Sequence, residues 1–413
     1  MKTRGAQHAS WKLVVQAVWL LAWCAAAIIF CLWAWPHQMA RACWTSEWPF
    51  EEGCPDSPAG SLETATPQQL RSHLQRNVGD GRAYVWLASA MAESDAQEAA
   101  PLFPFLQELA PNHNRALAVQ AAAALQASDY DAAAKTLALL VERGARQFHA
   151  PLVAMMLNPE TQDAVRRQLT AESRWLDSTL ASAGPKVPAG DLLEFVTDGL
   201  ELGVVKTRTA LVQIEQLKKA NRWLDAYSVW VLMLGTVPEG LFNASFEQPA
   251  SQRGFDWAWS QLPASKSGML TSQTSATPRA GTLLQVELTG RAALPQALVS
   301  QPLVLLGNGY QLRGSYKSDR LRSREGLVWA LRCAHGGERF AASDPLMDTG
   351  KQWQSFEFSF DMLAECAGAV KLQLEAAAPW EAKAGMTGVM EFDDFSLVAM
   401  AVPNSQPSKK GQR

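Results

Sequence analysis

The sequence predicts a multidomain protein in which one transmembrane helix is followed by an α-helical solenoid and then by an all-β sandwich. Three features predict this order. An uncharged apolar segment occupies residues 13–35, residues 66–237 are rich in alanine and leucine, and residues 238–400 contain short apolar runs between glycine-bounded turns. With 413 residues, of which 48% are hydrophobic, the chain can bury more than one core.

Residues 13–35 predict a membrane-spanning helix because they contain no charged side chain. A helix rises about 1.5 Å per residue, so roughly 20 apolar residues cross the hydrocarbon core. A cleaved signal peptide is the alternative, since Ala40 and Ala42 lie where a cleavage site could be. Its apolar region would be about 7–15 residues, however, and Trp33 and Trp35 fit an interfacial aromatic belt.

The charges on either side of this segment predict its orientation. Lys2, Arg4 and Lys12 precede it, whereas the residues after it include an acidic cluster between positions 47 and 56. By the positive-inside rule, residues 1–12 form a cytoplasmic tail. We therefore expect a single-pass inner-membrane protein whose bulk is periplasmic.

Four cysteines outside the predicted span form two local pairs, which suits an oxidising compartment. Cys43 and Cys54 fall in a juxtamembrane linker at 36–65, and Cys333 and Cys366 fall in the predicted sandwich. We expect a disulfide within each pair. Zinc binding is the alternative, but neither pair has the two-residue spacing of a metal knuckle and the six histidines are scattered.

The charge balance and the missing motifs limit the function. The net charge is -3, and the late basic residues belong to a polar tail at 401–413 that we expect to be disordered, so no nucleic-acid partner is expected. The chain has no nucleophile elbow, phosphate-binding glycine loop or His-Glu-x-x-His helix, so we expect no enzyme. A glycan hydrolase stays an alternative, because its two carboxylates have no fixed spacing.

The helical region at 66–237 carries a repeat of 34 residues. Ala99 and Phe103 recur one period later as Ala133 and Leu137. Small residues at such positions let paired helices approach closely, and large residues fill the groove to the next pair. The pattern resembles the tetratricopeptide family, and the resemblance implies an array of helix pairs that docks an envelope protein partner.

The resemblance covers two adjacent units and a later partial unit at 222–226 with Trp230. Three positions depart from the family pattern. Leu87 replaces the usual glycine of the first helix, and Pro101 and Pro104 interrupt or delay the second. A generic helical bundle is therefore the alternative.

Eight short runs predict the strands of a β-sandwich, and the change of pattern at 238–240 predicts the domain junction. The runs are residues 241–247, 282–288, 297–303, 310–316, 327–333, 354–360, 370–375 and 389–398. The segments 243–247, 254–257 and 391–397 resemble the opening and closing segments of carbohydrate-binding modules and galactose-binding-like jelly rolls. This resemblance implies a jelly roll whose first and last strands lie together.

The same resemblance implies a structural calcium ion held by Glu247 with Asp393 or Asp394. The chemistry is reasonable because Ca²⁺ prefers carboxylate and carbonyl oxygens. The alternative is that the two aspartates bond backbone amides at the end of a strand.

Sugars bind to proteins by stacking on aromatic rings while polar groups fix their hydroxyls. Trp257 and Trp329 lie at positions that predict the core of the sandwich. The candidate ligand-binding residues, which we expect at loops or on outward strand faces, are Trp259, Tyr316, Arg332 and Trp380.

The whole arrangement resembles bacterial envelope proteins associated with exopolysaccharide or surface-glycan export. This resemblance implies a non-catalytic scaffold or adaptor that binds a protein partner through its helical region and polysaccharide through its sandwich. The alternatives are a protein adaptor that binds no sugar and a divergent glycan hydrolase.

Overall fold

The computed structural model describes residues 62–93, 96–275 and 281–400. The predicted transmembrane helix, most of the linker, the Cys43–Cys54 pair and the tail at 401–413 lie outside the described residues. Within these ranges, no helix is long and apolar enough to cross a bilayer. The membrane anchor therefore stays a prediction.

The described residues divide into two compact units, with the boundary between Phe148 and His149. The first unit is helical, and the second contains further helices followed by a β-sandwich. A helical half followed by an all-β sandwich is therefore confirmed. The junction predicted at 238–240 lies inside the second unit, between a helix that ends at Leu234 and the first strand, which begins at Ala258.

Four of the five described α-helices of the first unit begin at a side chain that accepts a backbone N–H of the first turn. Thr66 caps α1, Asp80 caps α2, His113 caps α4 and Asp129 caps α5. The helices are α1 (Pro67–Arg76), α2 (Gly81–Ala92), α3 (Phe103–Leu109), α4 (Asn114–Gln126) and α5 (Tyr130–Glu142). Short 3₁₀ helices occupy Ala96–Leu102 and Arg146–Phe148.

The small residues of the 34-residue repeat are buried in this unit. Ala99 and Ala133 are both buried, and α4 packs against α5 across the short connection at 127–129. Pro101 lies within a 3₁₀ helix, and Pro104 lies in the first turn of α3, so the second helix of the first predicted unit starts late. The assignment to the tetratricopeptide family stays a prediction.

The second unit begins with six further helices within its described residues. They are α6 (His149–Leu157), α7 (Gln162–Arg166), α8 (Trp175–Ala183), α9 (Leu193–Glu201), α10 (Thr207–Lys219) and α11 (Trp223–Leu234). Helices α10 and α11 pack together across the turn at 220–222. Helix α11 ends at Gly235, whose φ of 70° is the left-handed conformation that commonly terminates a helix.

Ten strands of the described residues form two five-stranded antiparallel sheets. The strands are β1 (Ala258–Trp259), β2 (Met269–Ser275), β3 (Thr282–Thr289), β4 (Val299–Val304), β5 (Gly309–Arg322), β6 (Leu327–Cys333), β7 (Arg339–Ala342), β8 (Gln354–Asp361), β9 (Ala369–Ala376) and β10 (Thr387–Ala399). Sheet I has the order β1-β4-β9-β6-β7, and sheet II has the order β2-β3-β10-β5-β8. Short helices α12 (Ala264–Ser267) and α13 (Pro379–Ala384) lie between strands.

The strand predicted at 241–247 is wrong, because this segment forms turns. Asn243 and Phe246 have positive φ angles of 51° and 56°. The side chain of Asn243 donates to the carbonyl of Gln248 at 2.7 Å and accepts from its N–H at 3.0 Å, which closes a loop. The apolar residues that suggested a strand, Leu241 and Phe246, are instead side chains that this loop inserts into the core.

An aromatic cluster fills the space between the two sheets. Trp257 and Trp329 are fully buried, as predicted, with ring centroids 5.8 Å apart. Trp329 also contacts Phe392 at 5.3 Å and Phe395 at 5.0 Å in edge-to-face geometry. Such aromatic pairs add about 0.5–1.5 kcal/mol each beyond the burial of their area.

The predicted disulfide between Cys333 and Cys366 is confirmed. Cys333 ends β6, and Cys366 lies just before β9, with a Cα–Cα distance of 4.8 Å. Both residues are buried in the core of the sandwich. The bond therefore ties together two neighbouring strands of sheet I.

Helix α11 packs against the loop that precedes β1. Phe255 is buried, with its ring centroid 6.2 Å from that of Trp230 and 5.1 Å from that of Tyr227. Trp230 also contacts Phe242 at 5.2 Å. These contacts join the last helices of the second unit to its sandwich.

Candidate functional site

A cleft of about 690 Å³ lies between the α10–α11 turn and the outer face of sheet I. Its helical wall is formed by Glu215, Lys218, Lys219, Asn221 and Trp223. Its floor and remaining walls are formed by Gln252, Arg253, Gly254, Asp256, Ala258, Ser300, Pro302, Ala334, His335, Lys371 and Gln373. We refer to it below as the α10–sheet I cleft.

The alternation of β9 places polar side chains on the cleft floor. Val370, Leu372 and Leu374 of this strand are buried in the core, so Lys371 and Gln373 lie on the outer face. In the register of sheet I, Lys371 pairs with Pro302 of β4 and Gln373 pairs with Ser300. The same outer face therefore carries side chains from β4 and β9 into the cleft.

The helical wall is fixed by hydrogen bonds to the loop before β1. The ammonium of Lys218 donates to the Glu215 carboxylate at 2.9 Å and to the Gly254 carbonyl at 2.7 Å. The same Glu215 oxygen accepts the Gly254 N–H at 2.7 Å. At the turn, the indole N–H of Trp223 donates to the Asn221 side-chain oxygen at 2.9 Å. These bonds hold the wall in place without a ligand.

Two ammonium groups lie near one aromatic ring in the cleft. The Lys371 Nζ is 5.7 Å from the centre of the Trp223 ring, and the Lys218 Nζ is 5.9 Å from it. Both distances are within the range of a cation–π interaction. Trp223 is partly exposed, so its ring is available to a ligand in the cleft.

Lys371 carries a positive charge that the protein compensates poorly. Burial lowers the pKa of its ammonium below the ordinary lysine value, and the charge of Lys218 lowers it further. No acidic side chain of the described residues forms an ion pair with Lys371. The cleft floor therefore presents a half-buried cation without a carboxylate partner.

Asp256 is the buried carboxylate of the cleft. Its two oxygens accept the N–H groups of Ser251 at 2.6 Å and Trp257 at 2.7 Å. Burial raises the pKa of Asp256, although these hydrogen bonds act in the opposite direction. Its hydrogen bonds hold the loop that contacts α10 and α11.

The expected exposure of Tyr316 is wrong, because its side chain is only 5% exposed. Strand β5 continues to Arg322, so Tyr316 lies in mid-strand and points inward with Leu312. Its hydroxyl donates to the side-chain oxygen of Gln354 at 3.1 Å, and burial raises the pKa of Tyr316.

Arg332 lies on the outer face of sheet I, but its guanidinium is already engaged. It donates to both carboxylate oxygens of Glu375, at 2.7 and 3.0 Å, and to the Gly337 carbonyl at 2.9 Å. The hydrogen bond to Glu375 raises the pKa of Arg332. The group that we expected to bind ligand is therefore half of an internal ion pair.

The two predicted tryptophans have different environments. Trp259 of β1 is partly buried against the core, whereas Trp380 of α13 is 52% exposed, as expected. None of the four predicted ligand residues, which are all described, lines the α10–sheet I cleft. The structure does not bring them together at one site.

The opening and closing segments of the sandwich do lie together. The Phe395 N–H donates to the Ala244 carbonyl at 3.2 Å, and the Phe246 and Phe395 rings lie 5.6 Å apart. This adjacency is what the jelly-roll resemblance implies, although the opening segment is a loop.

The predicted calcium ligands lie in this region and accept backbone hydrogen bonds. A carboxylate oxygen of Glu247 accepts the Thr282 N–H at 3.1 Å, and one of Asp393 accepts the Asp394 N–H at 2.8 Å. Within the described ranges, no group of three or more His, Cys, Asp or Glu side chains is placed to hold a metal ion. The described side chains therefore do not make a site by themselves, and calcium stays a prediction.

Sequence reasoning missed the residues of the α10–sheet I cleft. The sequence predicts Trp223 as part of the helical repeat and Lys371 and Gln373 as residues of a strand. A signal was present, since Lys371, Gln373 and Glu375 alternate with apolar residues and predict one polar face of β9. The sequence does not indicate that α10 and α11 cover this face.

No protein family matches the chain, and no curated protein matches it. Similar solved structures include a CBM4 structure, with 14% identity over 38% of this chain and 97% of that chain and a TM-score of 0.28. The CBM22-1 xylan-binding domain of Paenibacillus barcinonensis Xyn10C has 14% identity over 40% of this chain and 100% of that chain, with a TM-score of 0.26. The Caldicellulosiruptor saccharolyticus CBM27-1 in complex with mannohexaose has 8% identity over 38% of this chain and 94% of that chain, with a TM-score of 0.25. At these TM-scores the likenesses carry no argument about this chain.

Proposed function

We propose that this chain is a non-catalytic envelope scaffold whose α10–sheet I cleft binds glycan. The observation that carries the proposal is the combination of a partly exposed tryptophan, Trp223, with polar side chains in one cleft on the sandwich. Sugar rings pack their apolar faces on aromatic rings, and their hydroxyls need donors and acceptors in fixed positions.

The size and lining of the cleft suit an oligosaccharide. Its volume of about 690 Å³ lies within the roughly 300–1,000 Å³ typical of ligand pockets. The amides of Asn221, Gln252 and Gln373 each offer both donor and acceptor groups to hydroxyls. Lys371 and Lys218 add cations beside the aromatic ring.

The two carboxylates of the cleft favour binding over hydrolysis. A glycosidase needs one carboxylic acid to protonate the leaving group and one carboxylate to act as base or nucleophile. Glu215 is bonded to Lys218 and to the Gly254 N–H, and Asp256 accepts two backbone N–H groups. Both carboxylates therefore have roles in holding the loop before β1.

The remaining parts of the proposal concern location and partners. We infer that the apolar segment at 13–35 anchors the chain in the inner membrane and that the first unit docks an envelope protein. The buried small residues of the 34-residue repeat support the second inference. The disulfide between Cys333 and Cys366 is consistent with a periplasmic location. We further propose a role in polysaccharide assembly or export.

The binding proposal is tested with the full chain in detergent and a panel of bacterial and plant polysaccharides. We expect Trp223→Leu to weaken binding strongly, because it removes the aromatic wall. Trp380→Leu is the matched control, since Trp380 is an exposed tryptophan outside the cleft. Melting temperatures of both variants check that they fold.

Three results would contradict parts of this proposal. If Trp380→Leu loses glycan binding and Trp223→Leu keeps it, the glycan site lies near Trp380 and not in the α10–sheet I cleft. Failure to bind any glycan in the panel would favour the protein adaptor instead. If the wild-type chain releases reducing ends from a polysaccharide and Glu215→Gln does not, the chain is a glycan hydrolase.

A further inference from the structure

Lys371 differs from the other partly buried cations of the second unit. Arg332 is paired with Glu375, Lys317 with Glu391 and Lys218 with Glu215. Lys371 has an aromatic ring at 5.7 Å and a like-charged neighbour, but no acidic partner among the described residues.

Such an arrangement is costly to the protein. Removing a charge from water is unfavourable unless a partner or hydrogen bonds compensate for it. Here the nearest compensation is the face of Trp223, and Lys218 opposes it. An anion bound in the cleft would supply the missing counter-charge.

The rest of the cleft has the same sign of charge. Four basic side chains line it, against two acidic ones. Both acidic side chains are engaged by the protein, since Glu215 binds Lys218 and Asp256 accepts backbone N–H groups. The charge that remains available to a ligand is therefore positive.

We propose that the α10–sheet I cleft selects an acidic glycan, with the acidic group of one sugar paired to Lys371 and the ring of that sugar packed against Trp223. This inference rests on the proposed function, because it names the class of glycan that the same cleft binds. The acidic group is a carboxylate in a uronic acid or a sulfate ester, and both chemistries offer the oxygens that an ammonium binds.

The test uses the full chain and uronate oligosaccharides, each compared with its own carboxyl-reduced form. The reduced forms keep the sugar ring and remove the charge. We expect the wild-type chain to bind each uronate at least about tenfold more tightly than its reduced form. A hydrogen bond to a charged group usually contributes about this much to affinity. Sulfated and unsulfated forms of one neutral oligosaccharide form the second arm, which separates sulfate from carboxylate recognition.

Three variants assign the selectivity to one side chain. Lys371→Gln is expected to lose most of the preference for acidic over neutral forms, and Lys371→Arg to keep it, because the charge is retained. Lys383→Gln is the matched control, since Lys383 is an exposed lysine of the same unit outside the cleft. It is expected to behave as the wild type.

The outcomes separate this inference from the function on which it rests. Equal binding of acidic and neutral forms, or an acidic preference that Lys371→Gln leaves unchanged, overturns the inference while glycan binding stands. If neither form of any glycan binds, the proposed function itself fails. A preference for one acidic form that depends on Lys371 supports the inference and identifies the acidic group.

Discussion

The ring centroids of Phe255 and Trp230 lie 6.2 Å apart, and this contact joins the loop before β1 to helix α11. Gly254, the residue before Phe255, is hydrogen-bonded to Glu215 and Lys218 of α10. The sandwich and the last two helices are thus packed within one unit. The junction predicted at 238 falls between parts that share a hydrophobic contact.

This contact predicts that the sandwich is less stable without its helices. Residues 236–402 expressed alone would expose Phe255, which is 2% exposed in the chain. Burying such a side chain contributes about 1.5–3 kcal/mol. We expect this fragment to melt at a lower temperature than residues 149–402 and to bind a hydrophobic dye more strongly. If the two fragments have equal melting temperatures and bind the dye equally, the helices do not stabilise the sandwich.

A second prediction is that Lys371→Met stabilises the protein at pH 7. The pKa of Lys371 is lower in the folded chain than in the unfolded chain, where it has an ordinary value of about 10.4. Below both pKa values the folded state carries the full cost of the buried ammonium. Between them the unfolded chain binds more protons, so stability rises with pH. The groups around Lys371 are Lys218 and Glu215 on α10, Arg332 on β6, and His335.

The measurement is chemical unfolding of wild type and Lys371→Met from pH 7 to pH 10.5. We expect the variant to have the higher free energy of unfolding at pH 7. The difference between the variant and wild type should shrink as the pH approaches 10.5. Lys383→Met controls for the general effect of removing a surface lysine. A variant that is less stable than wild type at pH 7 would mean that Lys371 stabilises the fold through contacts of its side chain.

Much of the fold follows from local patterns in the sequence. The alternation that predicts β6 places Trp329 in the core, and the apolar positions of β9 are buried as expected. The Cys333–Cys366 bond is predicted from the cysteine count, because the four cysteines outside the predicted span form two local pairs. The two strands depend on the alternation of a few neighbouring residues, and such patterns are the strongest that a single sequence offers.

The candidate site could not be predicted in the same way. Trp223 and Lys371 are far apart in the chain and meet only because α10 and α11 pack on sheet I. The sequence predicts Tyr316 at a loop or on an outward strand face, whereas it lies within β5, which continues to Arg322, and is buried. Alternation shows which residues share a face but not which face is buried, and a cleft built from helices and a sheet depends on long-range packing.

A third prediction concerns Gly254, where the backbone lies close to the Trp230 ring of α11. Its φ is 64°, and a Cβ atom there would lie 2.4 Å from the ring of Trp230. Gly254→Ala is therefore expected to destabilise the protein through both backbone strain and steric clash. Gly203→Ala is the matched control, because Gly203 has a similar φ of 70° but nothing within 4 Å of the added atom.

The difference between the two variants isolates the clash. We expect Gly254→Ala to lose at least about 1 kcal/mol more than Gly203→Ala in denaturant unfolding, the lower end for overpacking a core. We also expect it to weaken glycan binding, since Gly254 fixes Lys218 and Glu215 in the cleft wall. Equal losses in the two variants would indicate that the loop moves away from Trp230 at little cost.

The last prediction concerns the calcium ion that the jelly-roll resemblance implies. Two carboxylates supply only part of the six to eight oxygens that calcium takes, so carbonyl groups or water would supply the others. An ion that binds only the folded chain stabilises it by mass action, by about 2.7 kcal/mol when it exceeds its dissociation constant a hundredfold. We therefore expect the full chain to melt at a higher temperature in calcium than in a chelator.

Glu247→Gln separates this prediction from its alternative. The amide oxygen of glutamine can still accept the Thr282 N–H, so the variant removes the charge and keeps the hydrogen bond. If calcium binds, the variant melts below wild type in calcium and equals it in the chelator. Glu287→Gln, an exposed position on β3, should respond to calcium as wild type does. The calcium prediction is wrong if the wild-type melting temperature is the same in calcium and in the chelator and equals that of Glu247→Gln. Glu247 and Asp393 would then act as acceptors of backbone hydrogen bonds and hold no calcium.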